Sequence, residues 1–136
     1  MGLAERRAAK EYETKHLPRL KQEIVQAAGF EVPIEINWES LSAPDQAHLY
    51  EECWTKVYFT PLIGAFKAIC VDDLGKDALK GSLKKIVITN TAGIYYGDRM
   101  ASFMDGVLTL NHEPTTNVDS IEERQKGIQK TLEAAL

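Results

Sequence analysis

Ala101-Ser-Phe-Met104-Asp105-Gly106-Val107-Leu-Thr-Leu110 is the stretch on which the fold turns. Asp-Gly suits the two positive-φ positions of a type I′ turn, and the residues on either side have strand character, so 101–110 reads as a β-hairpin. If Met104 pairs with Val107, then Phe103 faces Leu108 and Ala101 faces Leu110, and these four share the core side. The opposite side carries Ser102, Met104, Val107 and Thr109, more polar but with two apolar residues beside the turn.

Working outward, Lys84-Lys-Ile-Val-Ile-Thr89 is short, rich in β-branched residues and bounded by Asn90, which marks a central strand. Upstream, Val32, Ile34, Ile36 and Trp38 alternate with Pro33, Glu35, Asn37 and Glu39, the period of a strand with one buried face. Pro33 places that strand at an edge.

Helices flank these strands. Residues 4–28 place Leu17, Leu20, Ile24 and Ala27 on one face and stop at Gly29, after which Phe30 can fold back on the last turn. Pro18 predicts a break near His16-Leu17 and a looser, more polar segment before it. Ser42-Ala43-Pro44 is expected to open the next helix, with rows Leu49/Cys53/Val57 and Tyr50/Trp54/Tyr58 forming its apolar stripe. Pro61 should end that run, and Thr60 can cap another in which Leu62, Ile63, Phe66, Ile69 and Cys70 are buried before Gly75, giving two packed helices or one kinked one. A short helical stretch follows at 77–83. Ser120-Ile-Glu-Glu123 matches a capping box ahead of Ile121, Ile128, Leu132 and Leu136 at helical spacing. The expectation is one α+β domain over residues 1–136, an antiparallel sheet of about three to five strands with N-terminal, central and C-terminal helices on one face. No repeat, low-complexity tract or linker divides it.

At 136 residues, 44% hydrophobic and 26% charged, the chain has the balance of an ordinary globular domain. A net charge of -4 argues against a nucleic-acid-binding surface, which needs an excess of Lys and Arg. Basic residues do gather at Arg6, Arg7, Lys10, Lys15, Arg19 and Lys21, but Glu5, Glu11 and Glu13 interrupt them and no aromatic series accompanies them, which is a solvated helix face. Two cysteines, Cys53 and Cys70, are too few for a disulfide framework, and both fall on apolar helix stripes where a thiol behaves as a small hydrophobe. The N-terminus lacks a signal-peptide core, no run is long enough to cross a bilayer, Arg6 spoils a myristoylation signal, and no N-x-S/T sequon occurs. A cytoplasmic protein without membrane contact is expected.

Chemistry-bearing motifs are few. His48 and Glu52 stand four apart, as paired metal ligands do on metalloprotease helices, but the second histidine is missing and a third ligand would have to come from Asp72, Asp73 or His112. An exposed helix face accounts for the same pattern. Asp72-Asp73 could work as a carboxylate pair; placed near a helix C-terminus they conflict with its dipole, and a solvated turn is the plainer reading. The run from Gly75 to Ser82 fails as a phosphate loop in spacing and in element order. No G-x-G-x-x-G, G-x-S-x-G or C-x-x-C is present, so nothing implies a cofactor.

The segment 91–100 draws attention for different reasons. It joins a strand to the hairpin through two glycines with Tyr95, Tyr96, Asp98 and Arg99, and tyrosine and arginine are frequent in interface hot spots. Ile94 and Tyr96 also fit the inward positions of a further strand, with Asp98-Arg99 as its turn. The leading expectation is a non-enzymatic protein-interaction module, self-associating or inhibitor-like, that binds a protein partner or a second copy through Tyr95, Tyr96, Asp98, Arg99, Met104 and Val107. The alternative is a small metal-dependent hydrolase using His48/Glu52 and Asp72/Asp73.

Overall fold

Pro18 is accommodated where proline costs least: in the computed structural model, which describes residues 1–136, it occupies the first turn of a second helix. Helix α1 (Leu3–Lys15) ends at His16, and α2 (Leu17–Ala28) begins immediately after it, so the break falls where the proline predicts. The segment before the break is a regular helix with Ala9 and Tyr12 buried, not a loosened one. Gly29 closes α2 at φ 85, a left-handed conformation in which glycine has no Cβ penalty.

Strand β1 (Ile34–Ile36) follows, shorter than the alternation suggests because Trp38 begins a 3-10 turn, Trp38–Leu41. The helix expected at Ser42 starts later: Asp45 sits at φ 63, which interrupts helical backbone, and only after a 3-10 turn at Ala47–Leu49 does α3 (Tyr50–Trp54) form. Pro61 does not end the run. The chain passes from α3 through a π-helical turn, Thr55–Phe59, directly into α4 (Thr60–Ile69), with Pro61 in the first turn of α4. A π turn widens the helix by one residue and accommodates a proline nitrogen that cannot donate to the preceding turn. This central rod supplies the largest single share of the core: Trp54, Val57, Tyr58, Leu62, Ala65 and Phe66 are inaccessible to solvent. Around Trp54 the ring of Tyr50 stacks at 4.1 Å and that of Tyr12 meets it edge-on at 5.2 Å.

Helix α4 ends at Ile69, six residues before Gly75, and Asp72 caps the N-terminus of α5 (Asp73–Ser82) by accepting from the Gly75 amide at 2.8 Å. Asp72 and Asp73 therefore sit at a helix N-terminus, where the dipole favours negative charge, and the conflict read from the sequence disappears.

The sheet corrects the largest expectation. Its order is β1-β2-β4-β3, with β2 at Lys85–Thr89, β3 at Ala101–Met104 and β4 at Val107–Asn111. β1, β2 and β4 run parallel, and only the hairpin pair β3–β4 is antiparallel. The reason is connectivity: all of α3 to α5 lie between β1 and β2, a crossover long enough to return the chain in the same direction. The near-continuous apolar run of β2 also suits an interior strand in a parallel ladder. β1 is at the edge, as Pro33 predicts, and the hairpin register is the predicted one, with Asp105 at φ 53 and Gly106 at φ 81. Ile86, Ile88, Leu108 and Leu110 are completely buried toward the helices. Helix α6 (Ile121–Ala135) packs on α4 and β3, burying Ile128 and Leu132. Its Ser120 makes no side-chain capping bond, so the predicted capping box does not form. No helix is long and apolar enough to cross a membrane.

Candidate interaction surface

Residues 90–100 cross from the end of β2 to the start of β3, passing the C-terminal end of β4. They form a loop with a 3-10 turn at Gly97–Arg99, not a further strand. Its ends are tied by the Asn90 amide donating to Ser40 Oγ at 3.0 Å and the Asn111 amide donating to the Met100 carbonyl at 2.8 Å, and further attachments hold the stretch between. Asn111 and Thr91 exchange two bonds, the Thr91 amide donating to Asn111 Oδ1 at 3.0 Å and Asn111 Nδ2 to Thr91 Oγ1 at 2.9 Å. The Glu113 amide donates to the Ile94 carbonyl at 2.6 Å, and Asn117 Nδ2 donates to the Tyr95 carbonyl at 2.6 Å. At Gly97 the loop touches α6 backbone to backbone: a Cβ there would stand 2.8 Å from Arg124 N and Cγ, and a Cβ on Gly127 would collide with the Gly97 carbonyl. Two glycines on facing elements thus permit an approach that any side chain would block.

Beneath this seam lies a buried polar cluster. Arg124 is fully buried and meets no carboxylate; its guanidinium donates to the carbonyls of Asn117 at 2.6 Å, Val118 at 2.5 Å and Lys56 at 3.3 Å. The Lys56 carbonyl comes from the π turn. One side chain therefore pins the 117–118 turn and the central rod together. Burial holds Arg124 below its ordinary pKa, partly offset by Glu123. His112, also fully buried, places Nδ1 2.6 Å from the Glu113 carbonyl; a carbonyl can only accept, so Nδ1 carries the proton and Nε2 has no partner. Burial pushes the His112 pKa down, with Arg124 acting in the same direction. The Tyr58 hydroxyl donates to the His112 carbonyl at 2.5 Å, and desolvation raises its pKa strongly.

What this scaffold presents is aromatic. Tyr95 and Tyr96 are 47% and 50% exposed, with ring centroids 4.6 Å apart. They are the only aromatic side chains among the exposed large hydrophobic residues. Asp98 and Arg99 are exposed, and neither takes part in an ion pair, with each other or with a third residue. Met104 and Val107 do pair across the hairpin, and Met104 is 74% exposed, but they stand at the turn end of β4, roughly 10 Å along the strands from the start of β3. The six candidate residues therefore divide into two patches.

The other candidates separate further. His48 and Glu52 line a shallow polar cleft with His16, Arg19, Glu51, Thr55 and Lys56, while Asp72 and Asp73 lie elsewhere, at the start of α5. Glu52 is paired with Lys56 at 2.8 Å, which also holds Asp119 at 2.9 Å. No three His, Cys, Asp or Glu side chains converge as a metal-ligand group. Cys53 is buried and Cys70 half-buried, and desolvation raises the pKa of both thiols. Sequence reasoning missed Arg124, Asn117 and the facing glycines; the one available signal was Gly127 inside an otherwise regular helix, a residue that weakens a helix unless a close approach needs it.

No protein-family model, curated protein or solved structure matches the chain.

Proposed function

We propose that this chain is a protein-interaction module whose contact surface is the 95–99 loop. The observation that carries the reading is the combination at that loop: two half-exposed tyrosines stand on a backbone that hydrogen bonds tie to Asn111 of β4, Glu113 and Asn117, and that glycine contacts seat on α6. A rigid aromatic platform binds at low entropic cost, because little remains to be ordered when a partner arrives. The exposed Met104 forms a separate apolar point at the hairpin turn and would serve as a secondary contact.

Affinity capture with wild-type chain and with a Tyr95→Ala/Tyr96→Ala variant of matched melting temperature tests the reading. A protein, or a second copy of the chain, retained by wild type and lost by the double variant is the expected result. Equal recovery by both, together with a monomer at every concentration in sedimentation, would contradict it.

A further inference from the structure

We infer that the partner of the 95–99 loop presents a basic protein surface, whose Arg and Lys side chains lie against Tyr95 and Tyr96 and between the carboxylates around them. This rests on the interaction reading above and names the chemistry of the partner.

The charge of the chain is unevenly placed. Of its 20 acids and 16 bases, residues 86–123 contain six acids and one base, Arg99, so this segment accounts for the whole net negative charge. Folding brings most of those acids to the loop. Asp98 is within it. The Glu113 amide is bonded to the Ile94 carbonyl, and Asp119 follows two residues after the Asn117 that holds Tyr95. Glu122 and Glu123 occupy the first turn of α6, next to the Arg124 on which Gly97 rests.

Arg99 is the one unpaired cation of the loop; the other nearby cations are already committed. Lys56 bridges Glu52 and Asp119, Lys126 pairs with Glu122 at 3.0 Å, and Arg124 is fully buried with both terminal nitrogens donating to carbonyls. Asp98, Glu113 and Glu123 are left without an ion-pair partner, and a Glu113 carboxylate oxygen stands 4.0 Å from where a Cβ on Gly93 would be. The acids of α1 differ: Glu11 and Glu13 are paired with Lys15 and Lys10, and no exposed aromatic accompanies them. A guanidinium gains from the tyrosine face and from the carboxylates at once, whereas a phosphate backbone is repelled. Opposite potentials on the two partners also speed their encounter.

The test is an NMR titration of the full chain with a soluble oligo-arginine peptide at low and high salt, repeated with three variants. Wild type should show saturable shifts concentrated at 93–99 and 113–123 that fade with salt. Asp98→Asn/Glu113→Gln/Glu123→Gln should weaken binding by about tenfold, Tyr95→Ala/Tyr96→Ala should weaken it comparably, and the distant Glu31→Gln/Asp77→Asn should bind as wild type. Shifts spread over α1, no saturable binding, or unchanged affinity in the triple variant would overturn the inference. If that happens while the tyrosine variant still loses the captured protein, the basic-partner chemistry fails and the interaction reading stands; if capture is also unaffected, both fall. Self-association mapped to the same loop would replace the basic partner with a second copy.

Discussion

At one end of β4 the chain reverses through Asp105 and Gly106; at the other, residues 90–100 cross over and rest on α6. Both ends are tight, and both depend on glycine. At the turn end the demand is local: two positive-φ positions, supplied by adjacent residues, with Gly106 also receiving the amides of Lys84 and Lys85 on its carbonyl. At the crossover end the demand is long-range: Gly97 meets Gly127, and Arg124 reaches back to Lys56. The first kind of constraint is written in neighbouring letters, the second only in the assembled fold.

Removing Arg124 should separate the two ends most sharply. Arg124→Ala leaves three carbonyls without their donor and a void in the core, at a cost of more than about 3 kcal/mol. Denaturant unfolding should register that loss, and exchange of the Glu113 amide should accelerate with it. Gly97→Ala and Gly106→Ala come next, each costing about 1–3 kcal/mol, the first by overpacking against Arg124 and the second by strain at φ 81 and contact with the Ser82 carbonyl. Their signatures should differ: chemical shifts of Tyr95 and Tyr96 move in the Gly97 variant and stay in the Gly106 variant. Identical shifts in both would erase the distinction drawn between the ends.

A smaller effect follows from His112. Its folded pKa lies below the ordinary 6.5 because the ring is buried, so the unfolded chain takes up a proton first as pH falls. The full contribution is present above about pH 6.5 and declines below it at up to about 1.4 kcal/mol per pH unit until the folded ring also titrates. Melting temperature against pH should show this slope, and His112→Gln should flatten it. Smallest of all, Tyr95→Ala/Tyr96→Ala should alter stability by no more than about 0.5 kcal/mol, since the rings are half in solvent and the loop is held by its backbone.

The same contrast explains what the sequence disclosed. The hairpin register, the edge position of β1, the interior position of β2 and the break before Pro18 all follow from short-range patterns, and all appear in the structure. Strand direction does not follow from such patterns: β1 and β2 are parallel because of what the intervening helices do in three dimensions. Pro61 misled for a related reason, since a π turn absorbed the defect that a proline normally makes terminal. Within the candidate surface, residue types singled out Tyr95, Tyr96, Asp98 and Arg99 as a group. They could not separate Met104 and Val107 from that group, nor show that a buried arginine 25 residues further on underlies the loop.

Whether the 95–99 backbone is fixed in the free protein decides between a platform and a flexible loop, and backbone ¹⁵N relaxation measures it. Order parameters of about 0.85 through 94–99, equal to those of β2 and β4, are the predicted result. Values below about 0.6 confined to those residues would mean a flexible loop carrying two solvent-exposed rings, and the platform would not exist.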